Sequence, residues 1–228
     1  MARTKSKKAL YADVLAWFTE NMPSVQSELN FKNPYQLLVA VILSAQCTDK
    51  RVNMVTPALF ERFPDTKSMS RSDEAEIYSY IKSVSYPNSK AAHLLGMAKM
   101  IEADYGGKVP EAMNDLMRLP GVGRKTANVM TAVAFEKPAM AVDTHVFRVS
   151  ARIGLTQNAK TPLETEKQLV ANIPRQMLGT AHHWLLLHGR YVCLARNPKC
   201  KECGLQPFCA YYKAAQTKTK PKSKDGIA

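Results

Sequence analysis

Residues 116–129 of the chain read LMRLPGVGRKTANV, and this segment gives the most specific structural prediction in the sequence. A short helix over Glu111–Arg118 is predicted to stop before the proline, and a second helix is predicted to start near Arg124. Between the two, Gly121 and Gly123 permit a tight turn with positive φ and a close approach of another molecule to the backbone. The stretch therefore predicts two helices joined by a hairpin.

The predicted helix–hairpin–helix, at about residues 113–134, suits binding to nucleic acid. The first backbone amides of its second helix have no partner within the helix, so they can donate to a DNA phosphate. Phosphate contacts position a protein on DNA without reading its sequence. The predicted DNA contacts in the hairpin are Gly121, Val122, Gly123 and Arg124.

The charge of the whole chain agrees with a polyanionic partner. Its 228 residues include 32 Lys and Arg against 19 Asp and Glu, which gives a formal net charge of +13. Eight of these cations lie near the two ends, and the chain without them still carries about +5. Such a balance favours nucleic acid or an anionic membrane surface as partner, although solubility alone would also account for it.

Helical periodicity runs through nearly the whole chain, and no convincing run of alternating residues predicts a strand. We therefore expect an all-α fold. One buried helix face is predicted from Leu37, Leu38, Val41 and Ile42. The other helix signals are Asn33-Pro34, Asp49 and Asp73 as starts, Lys90–Tyr105 and Ala181–Arg196 as spans, and a capping box at Thr161–Glu164.

Four cysteines lie close together with the spacing C-x6-C-x2-C-x5-C: Cys193, Cys200, Cys203 and Cys209. Four thiolates so near in sequence can surround one metal centre, either zinc or an iron–sulfur cluster. A zinc ribbon usually has two C-x2-C pairs, whereas this chain has one, so the spacing favours the iron–sulfur cluster. Burial in a core is a poor explanation, because charged residues surround the cysteines.

Two further residues point to chemistry on DNA. Lys125 falls in the first turn of the second hairpin helix, where it could contact a phosphate or act as an amine nucleophile. The positive end of a helix and partial burial both favour the neutral amine. Asp143 opens another helix and is a natural N-cap, yet a carboxylate beside a sugar would also stabilise the positive charge that develops as an N-glycosidic bond breaks. A joint site for the two is a hypothesis.

No apolar run reaches the roughly 18 residues of a membrane-spanning helix, and the first residues lack the apolar stretch of a signal peptide. We therefore expect an intracellular protein with no membrane partner, in the cytoplasm or nucleoid if its source is a bacterium. Cysteines in that compartment are reduced thiols, which agrees with a metal site.

Taken together, these motifs resemble those of the endonuclease III family, in the helix–hairpin–helix DNA glycosylase superfamily. The likeness runs from about Leu29 to Cys209. It includes LLVAVILSAQCTD, NSKA, LPGVGRKTANV, AVDTHVFRV, HHWLLLHGRYVC and the four-cysteine spacing. So many motifs in one order are highly specific.

The resemblance implies two helical domains on either side of a DNA-binding cleft. One is a six-helix barrel at about residues 27–137. The other combines residues 1–26 with 138–212 and carries the cluster loop at 193–209. Residues 213–228 are expected to form a flexible basic tail, and the protein is expected to be a monomer.

The resemblance also assigns roles to residues. Lys125 matches the Schiff-base lysine and Asp143 the essential aspartate, while the four cysteines match the ligands of a [4Fe–4S] cluster. Gln46 matches the glutamine that fills the gap left by a flipped nucleotide. Further DNA contacts are expected at Tyr86, His145, Arg196, Lys199 and Lys201.

The implied activity is removal of oxidised pyrimidines such as thymine glycol from double-stranded DNA by base flipping, followed by β-elimination 3′ to the abasic site. One segment departs from the family pattern, since Ser85-Tyr86-Pro87 stands where relatives often have glycine, leucine and tyrosine. Tyr86 could stack in the opposite strand as a wedge, but Pro87 changes the local backbone. The preference for the base opposite the lesion is therefore left open.

Two alternatives are also left open. A monofunctional adenine glycosylase of the same superfamily usually has serine at the position of Lys125 and a further C-terminal domain, and this chain has neither feature. A non-catalytic DNA-binding protein with a structural metal site would bind damaged DNA without cleaving it. The presence of both Lys125 and Asp143 argues against that second alternative.

Overall fold

The computed structural model describes residues 6–219, and every regular element in that range is a helix. The predicted all-α class is confirmed. No helix between residues 6 and 219 has the length and apolar character needed to cross a membrane. The α-helices of the range are α1 (Lys7–Asn21), α2 (Pro34–Ser44), α3 (Asp49–Arg62), α4 (Thr66–Ser70), α5 (Glu74–Ile81), α6 (Pro87–Tyr105), α7 (Met113–Leu116), α8 (Arg124–Val129), α9 (Thr144–Ile153), α10 (Pro162–Val170), α11 (Leu178–Tyr191) and α12 (Ala210–Thr219).

The chain divides into two compact units. The hairpin unit is Gln26–Ala141, and the cysteine unit combines Met1–Val25 with Val142–Ala228. The sequence predicts these borders after residues 26 and 137. The last part of the predicted basic tail, residues 220–228, lies outside the described residues.

α2 lies in the core of the hairpin unit. Every residue from Leu37 to Leu43 is at most 3% exposed, so the helix is buried on all sides and not only on its predicted face. α3, α6 and α8 contact it and leave it no solvent-facing stripe. Its predicted start is confirmed, because the Asn33 side chain accepts a hydrogen bond from the Gln36 amide and Pro34 is the first helical residue.

Two predicted helix starts in this unit are displaced. Thr48, and not Asp49, caps α3, because the Thr48 hydroxyl accepts from the Arg51 amide at 3.2 Å. α6 begins at Pro87, ahead of its predicted span, since the fixed φ and missing N–H of proline suit a first helical position. The start of α5 after Asp73 is confirmed.

In the cysteine unit, α9 and α11 approach so closely that a side chain at Gly189 would collide with α9. A Cβ on Gly189 would lie 2.8 Å from the Cβ of His145. α11 ends at Tyr191, short of the predicted Arg196. The chain leaves the helix there because the next two amides, of residues 192 and 193, both donate to the His188 carbonyl.

Two other predictions fail in part in this unit. Only half of the predicted capping box forms, because Thr161 accepts from the Glu164 amide while the Glu164 carboxylate accepts from the Lys160 amide. The segment predicted from Lys213 as a flexible tail is helical up to residue 219, since α12 runs through it.

Candidate functional site

The hairpin that joins α7 to α8 contains a position that requires glycine. Gly121 has a φ of 78°, and a Cβ on it would lie 3.0 Å from the Cβ of His93. Leu119 and Val122 are buried, and the Val122 amide donates to the Leu119 carbonyl at 3.0 Å. The turn is thereby anchored on the core. Its first helix is shorter than the predicted Glu111–Arg118.

The start of α8 is open. Gly123 is its N-cap residue with an extended backbone at φ −93°, and no side chain caps the helix. A Cβ on Gly123 would meet nothing within 4 Å, and its backbone angle is one that any residue adopts. The absence of a side chain there leaves the start of the helix accessible to another molecule. Lys125 lies in the first turn and is partly buried, and Arg124 beside it is exposed. Cations at the positive end of a helix form a site that attracts anions.

Asp143 caps α9 with one carboxylate oxygen and holds a histidine with the other. Its Oδ1 accepts from the amides of His145 at 2.9 Å and Val146 at 2.8 Å, and its Oδ2 lies 2.9 Å from His145 Nδ1. Burial raises the pKa of Asp143, but the hydrogen bonds from Val146 and His145 and the nearby His145 and His182 imidazoles outweigh it. The pKa of Asp143 therefore lies below its ordinary value, and the residue is a carboxylate at neutral pH.

Each unit contributes one of the two predicted catalytic groups. Lys125 belongs to the hairpin unit and Asp143 to the cysteine unit. Each lies at a helix start, where the backbone fixes its position: Lys125 in the first turn of α8 and Asp143 at the N-cap of α9. Their joint action stays a prediction.

Two loop tips of the hairpin unit have left-handed backbones. Gln46, between α2 and α3, has a φ of 53°, and Tyr86, just before α6, has a φ of 55°. Such conformations cost on the order of 1–3 kcal/mol each and persist only where the surroundings hold them. The Ser85 hydroxyl donates to the Gln46 carbonyl at 2.8 Å and links the two tips. The Tyr86 side chain projects into solvent, since the residue is 64% exposed.

Lys90 is a residue of interest that the sequence reasoning misses. It is only 4% exposed, and its Nζ donates to the carbonyls of Leu43 and Ala45, both at 2.7 Å. Carbonyls at a helix end have no partner within the helix, so the lysine closes the end of α2. Burial lowers the pKa of Lys90, an effect that the Cys47 thiol partly offsets. The only sequence signal was its place in the NSKA motif.

The four cysteines of the predicted metal site line one cavity. Its volume is about 370 Å³, part of which is open solvent. All four are free thiols and half-buried. Within residues 6–219, no three His, Cys, Asp or Glu side chains converge on a point where a single metal ion would fit. Residues of α9, α11 and α12 form other parts of the lining of this cavity.

Two arginines of α9, which the sequence reasoning also misses, hold the loop that carries Cys193. Arg148 donates to the Cys193 carbonyl at 3.1 Å, and Arg152 donates to the Leu194 carbonyl at 2.6 Å. The Arg152 guanidinium also lies 4.8 Å from the centre of the Tyr211 ring on α12. The three predicted DNA-contacting cations of this loop are all exposed: Arg196, Lys199 and Lys201.

Comparison with known proteins decides the family. The profile of the HhH-GPD superfamily of base excision DNA repair proteins matches residues 39–175. Endonuclease III of Rickettsia felis is 47% identical over 195 residues, which cover 86% of this chain and 91% of that relative. The chain belongs to the endonuclease III family. The family's Escherichia coli member is 40% identical over 204 residues, which cover 90% of this chain and 96% of that one.

Solved structures agree with the assignment to the endonuclease III family. A trapped endonuclease III–DNA covalent intermediate is 39% identical and superposes with a TM-score of 0.88, covering 93% of this chain and 100% of that chain. A thermostable thymine-DNA glycosylase is 25% identical with a TM-score of 0.78, covering 91% and 97%. The predicted family is confirmed, and with it the class of enzyme: a bifunctional base excision repair glycosylase and lyase.

Proposed function

We propose that the chain removes oxidised pyrimidines from double-stranded DNA and cuts the strand 3′ to the resulting abasic site, with Lys125 as the nucleophile. The observation that carries this proposal is the position of Lys125 in the first turn of α8, directly after the open Gly123. The solved complex in which an endonuclease III is covalently trapped on DNA supports it. Acting on genomic DNA places the protein inside the cell.

The hairpin binds the DNA backbone. Gly121 gives the turn its left-handed conformation, and Gly123 leaves room for a phosphate at the start of α8. Arg124 adds an exposed cation there. Val122 anchors the turn, because its side chain is buried and its amide donates to the Leu119 carbonyl, and its predicted contact with DNA stays a prediction.

The chemistry follows from an amine and a carboxylate placed beside a deoxyribose whose base is flipped out of the stack. The Lys125 amine attacks C1′, the bond from C1′ to the base breaks, and the base leaves with the electron pair and takes up a proton. Asp143 stabilises the positive charge that develops on the sugar. The attached amine loses a proton, and its lone pair forms the C1′=N bond as the C1′–O4′ bond breaks. The ring oxygen leaves with the electron pair and takes up a proton, which leaves an iminium between Lys125 and C1′.

Strand cleavage completes the reaction. Removal of a proton from C2′ expels the oxygen on C3′, so the strand breaks 3′ to the lesion. Water then hydrolyses the iminium and frees Lys125 for another turnover. The proton balance requires a base near C2′ and an acid for the departing nucleobase. Asp143 is ionised at neutral pH and can therefore accept the C2′ proton.

We assign the four cysteines as ligands of a [4Fe–4S] cluster. The residues fit this group, because four free thiols line one cavity and a [4Fe–4S] cluster is held by four cysteine thiolates. When bound, the cluster supplies a cross-link between α11 and the start of α12. The loop that Arg148 and Arg152 hold then presents its exposed cations to the DNA backbone.

Borohydride trapping tests the proposal. Wild-type protein on a duplex with one thymine glycol is expected to give a covalent protein–DNA band, and Lys125→Gln is expected to give none. Lys108→Gln removes another exposed lysine of the same unit that lies outside the hairpin segment, and should match the wild type. A base-free strand without a trapped band would indicate a monofunctional glycosylase. Binding without either product would indicate a non-catalytic DNA-binding protein.

A further inference from the structure

Hydrogen bonds from Ser85 and Lys90 join the two exposed loop tips of the hairpin unit, Gln46 and Tyr86. The Ser85 hydroxyl donates to the Gln46 carbonyl at 2.8 Å. The Lys90 amine donates to the Ala45 carbonyl at 2.7 Å and to a second carbonyl at the end of α2. The Lys90 amide donates to the Tyr86 carbonyl at 3.1 Å. Lys90 therefore bonds to both loops, and Ser85 bonds across from one to the other.

Both tips need this support. Gln46 and Tyr86 have positive φ angles, which residues other than glycine rarely adopt. Both are exposed, so core packing does not fix them. Tyr86 also precedes Pro87, and a residue before proline normally takes an extended backbone. The side-chain bonds on this part of the surface are the Ser85 hydroxyl bond to the Gln46 carbonyl and the Lys90 amine bond to the adjacent Ala45 carbonyl, and both join the two loops.

A buried lysine is a costly way to close a helix end. Lys90 is 4% exposed, and the carbonyls it binds could be satisfied by water or by a smaller polar side chain. A lysine differs from these in its reach, because its long side chain extends from α6 to the end of α2 and ties the two helices. The energetic cost of burying the Lys90 amine is consistent with a role in positioning the loops in addition to stabilising the fold.

We propose that Ser85 and Lys90 are positioning residues that hold Gln46 and Tyr86 as one rigid probe of a base pair. Gln46 then fills the gap in the lesion strand while Tyr86 stacks on the opposite strand, and neither step occurs without the other. The inference rests on the proposed function and on the DNA contacts predicted for Gln46 and Tyr86 from the sequence. A rigid probe avoids the cost of ordering two loops on the duplex.

The two steps of the reaction depend on such a probe to different degrees. Base removal requires extrusion of a nucleotide that is still paired. Cleavage at an existing abasic site does not, because no paired base remains. A loosened probe should therefore slow base removal selectively, whereas a general loss of structure would slow both steps.

Single-turnover rates on two duplexes test the inference, one with thymine glycol opposite adenine and one with a preformed abasic site. We expect Ser85→Ala to lower the base-removal rate about tenfold and the abasic-site rate by less than about twofold. Ser85→Thr keeps the hydroxyl and should restore the wild-type ratio. Ser79→Ala is the matched control, since Ser79 also donates its hydroxyl to a main-chain carbonyl, that of Glu76 at 2.7 Å, on the exposed surface of the same unit.

Fluorescence of 2-aminopurine placed opposite the lesion provides a second readout, because its emission rises when the base unstacks. We expect a smaller rise with Ser85→Ala, and with Lys90→Met if that variant retains its unfolding temperature. Equal loss of both rates in Ser85→Ala, no loss of either, or an unchanged fluorescence rise would overturn the inference and leave the proposed function intact. A wild type inactive on both duplexes would instead overturn the proposed function.

Discussion

Replacing Asp143 by asparagine separates the two roles of this residue, the helix cap and the ion. Asparagine keeps an oxygen for the amides of His145 and Val146 and is as good an N-cap as aspartate. It removes the negative charge beside His145 Nδ1 and at the positive end of α9. A charge at a helix start contributes about 0.3–1 kcal/mol, so we expect the free energy of unfolding to fall by no more than about 1 kcal/mol.

Catalysis should lose far more than stability. Without the Asp143 carboxylate, the positive charge on the sugar develops with no counter-charge beside it. Loss of one such electrostatic group typically slows an enzyme about 10²–10³-fold, or roughly 2.7–4 kcal/mol. Asp143→Ala is the comparison variant, because it removes the cap as well and should cost about 1 kcal/mol more in stability, yet its rate should resemble that of Asp143→Asn.

Thermal unfolding and single-turnover base removal on the same samples check both expectations. For a chain of this size, 1 kcal/mol shifts the unfolding temperature by roughly 2–4 °C. The unfolding temperature of Asp143→Asn is expected to lie within that interval of the wild-type value, and that of Asp143→Ala is expected to be lower still. A near-normal rate in Asp143→Asn would refute the catalytic role of the carboxylate. An unfolding temperature of Asp143→Asn as low as that of Asp143→Ala would refute the capping geometry.

Three further predictions follow from the geometry of single residues. Because the pKa of Asp143 is held below its ordinary value of 3.8, the ionised carboxylate stabilises the fold above that pH, and this stability is lost as the pH falls through the folded-state pKa. In an acid-unfolding titration, Asp143→Asn should lack this loss of stability. Gly121 has a φ of 78°, and a Cβ there would lie 3.0 Å from the Cβ of His93, so Gly121→Ala should lower the free energy of unfolding by about 1–3 kcal/mol and weaken DNA binding. Gly123→Ala should leave the free energy of unfolding near that of the wild type. Arg152→Leu should free the cysteine loop, so the visible absorbance of a bound [4Fe–4S] cluster should decay faster in air and DNA binding should weaken.

The parts of the site that depend on local sequence could be predicted. Asp143 precedes a helix and has the side chain of a cap, and it does cap α9. The glycines near α8 marked a turn, and Gly121 needs its glycine for the turn's own backbone angle. The cysteine spacing alone indicated a shared centre, and all four cysteines line one cavity.

The parts that depend on contacts between distant segments could not be predicted. Lys90 is buried and bonds to a carbonyl 45 residues away, a contact that its local sequence does not reveal. Arg152 and Arg148 hold a loop more than 40 residues further along the chain. α2 is buried all round because other helices of its unit contact it, which its own periodicity does not reveal.

Peptide mapping of the trapped protein–DNA complex tests the central claim most directly. The wild-type protein is reduced with borohydride on a thymine glycol duplex, digested with nuclease and protease, and analysed by mass spectrometry. The proposed mechanism predicts the mass of a reduced sugar remnant on the peptide that contains Lys125. A remnant on any other lysine, such as the buried Lys90, or on the N-terminal amine would contradict Lys125 as the nucleophile.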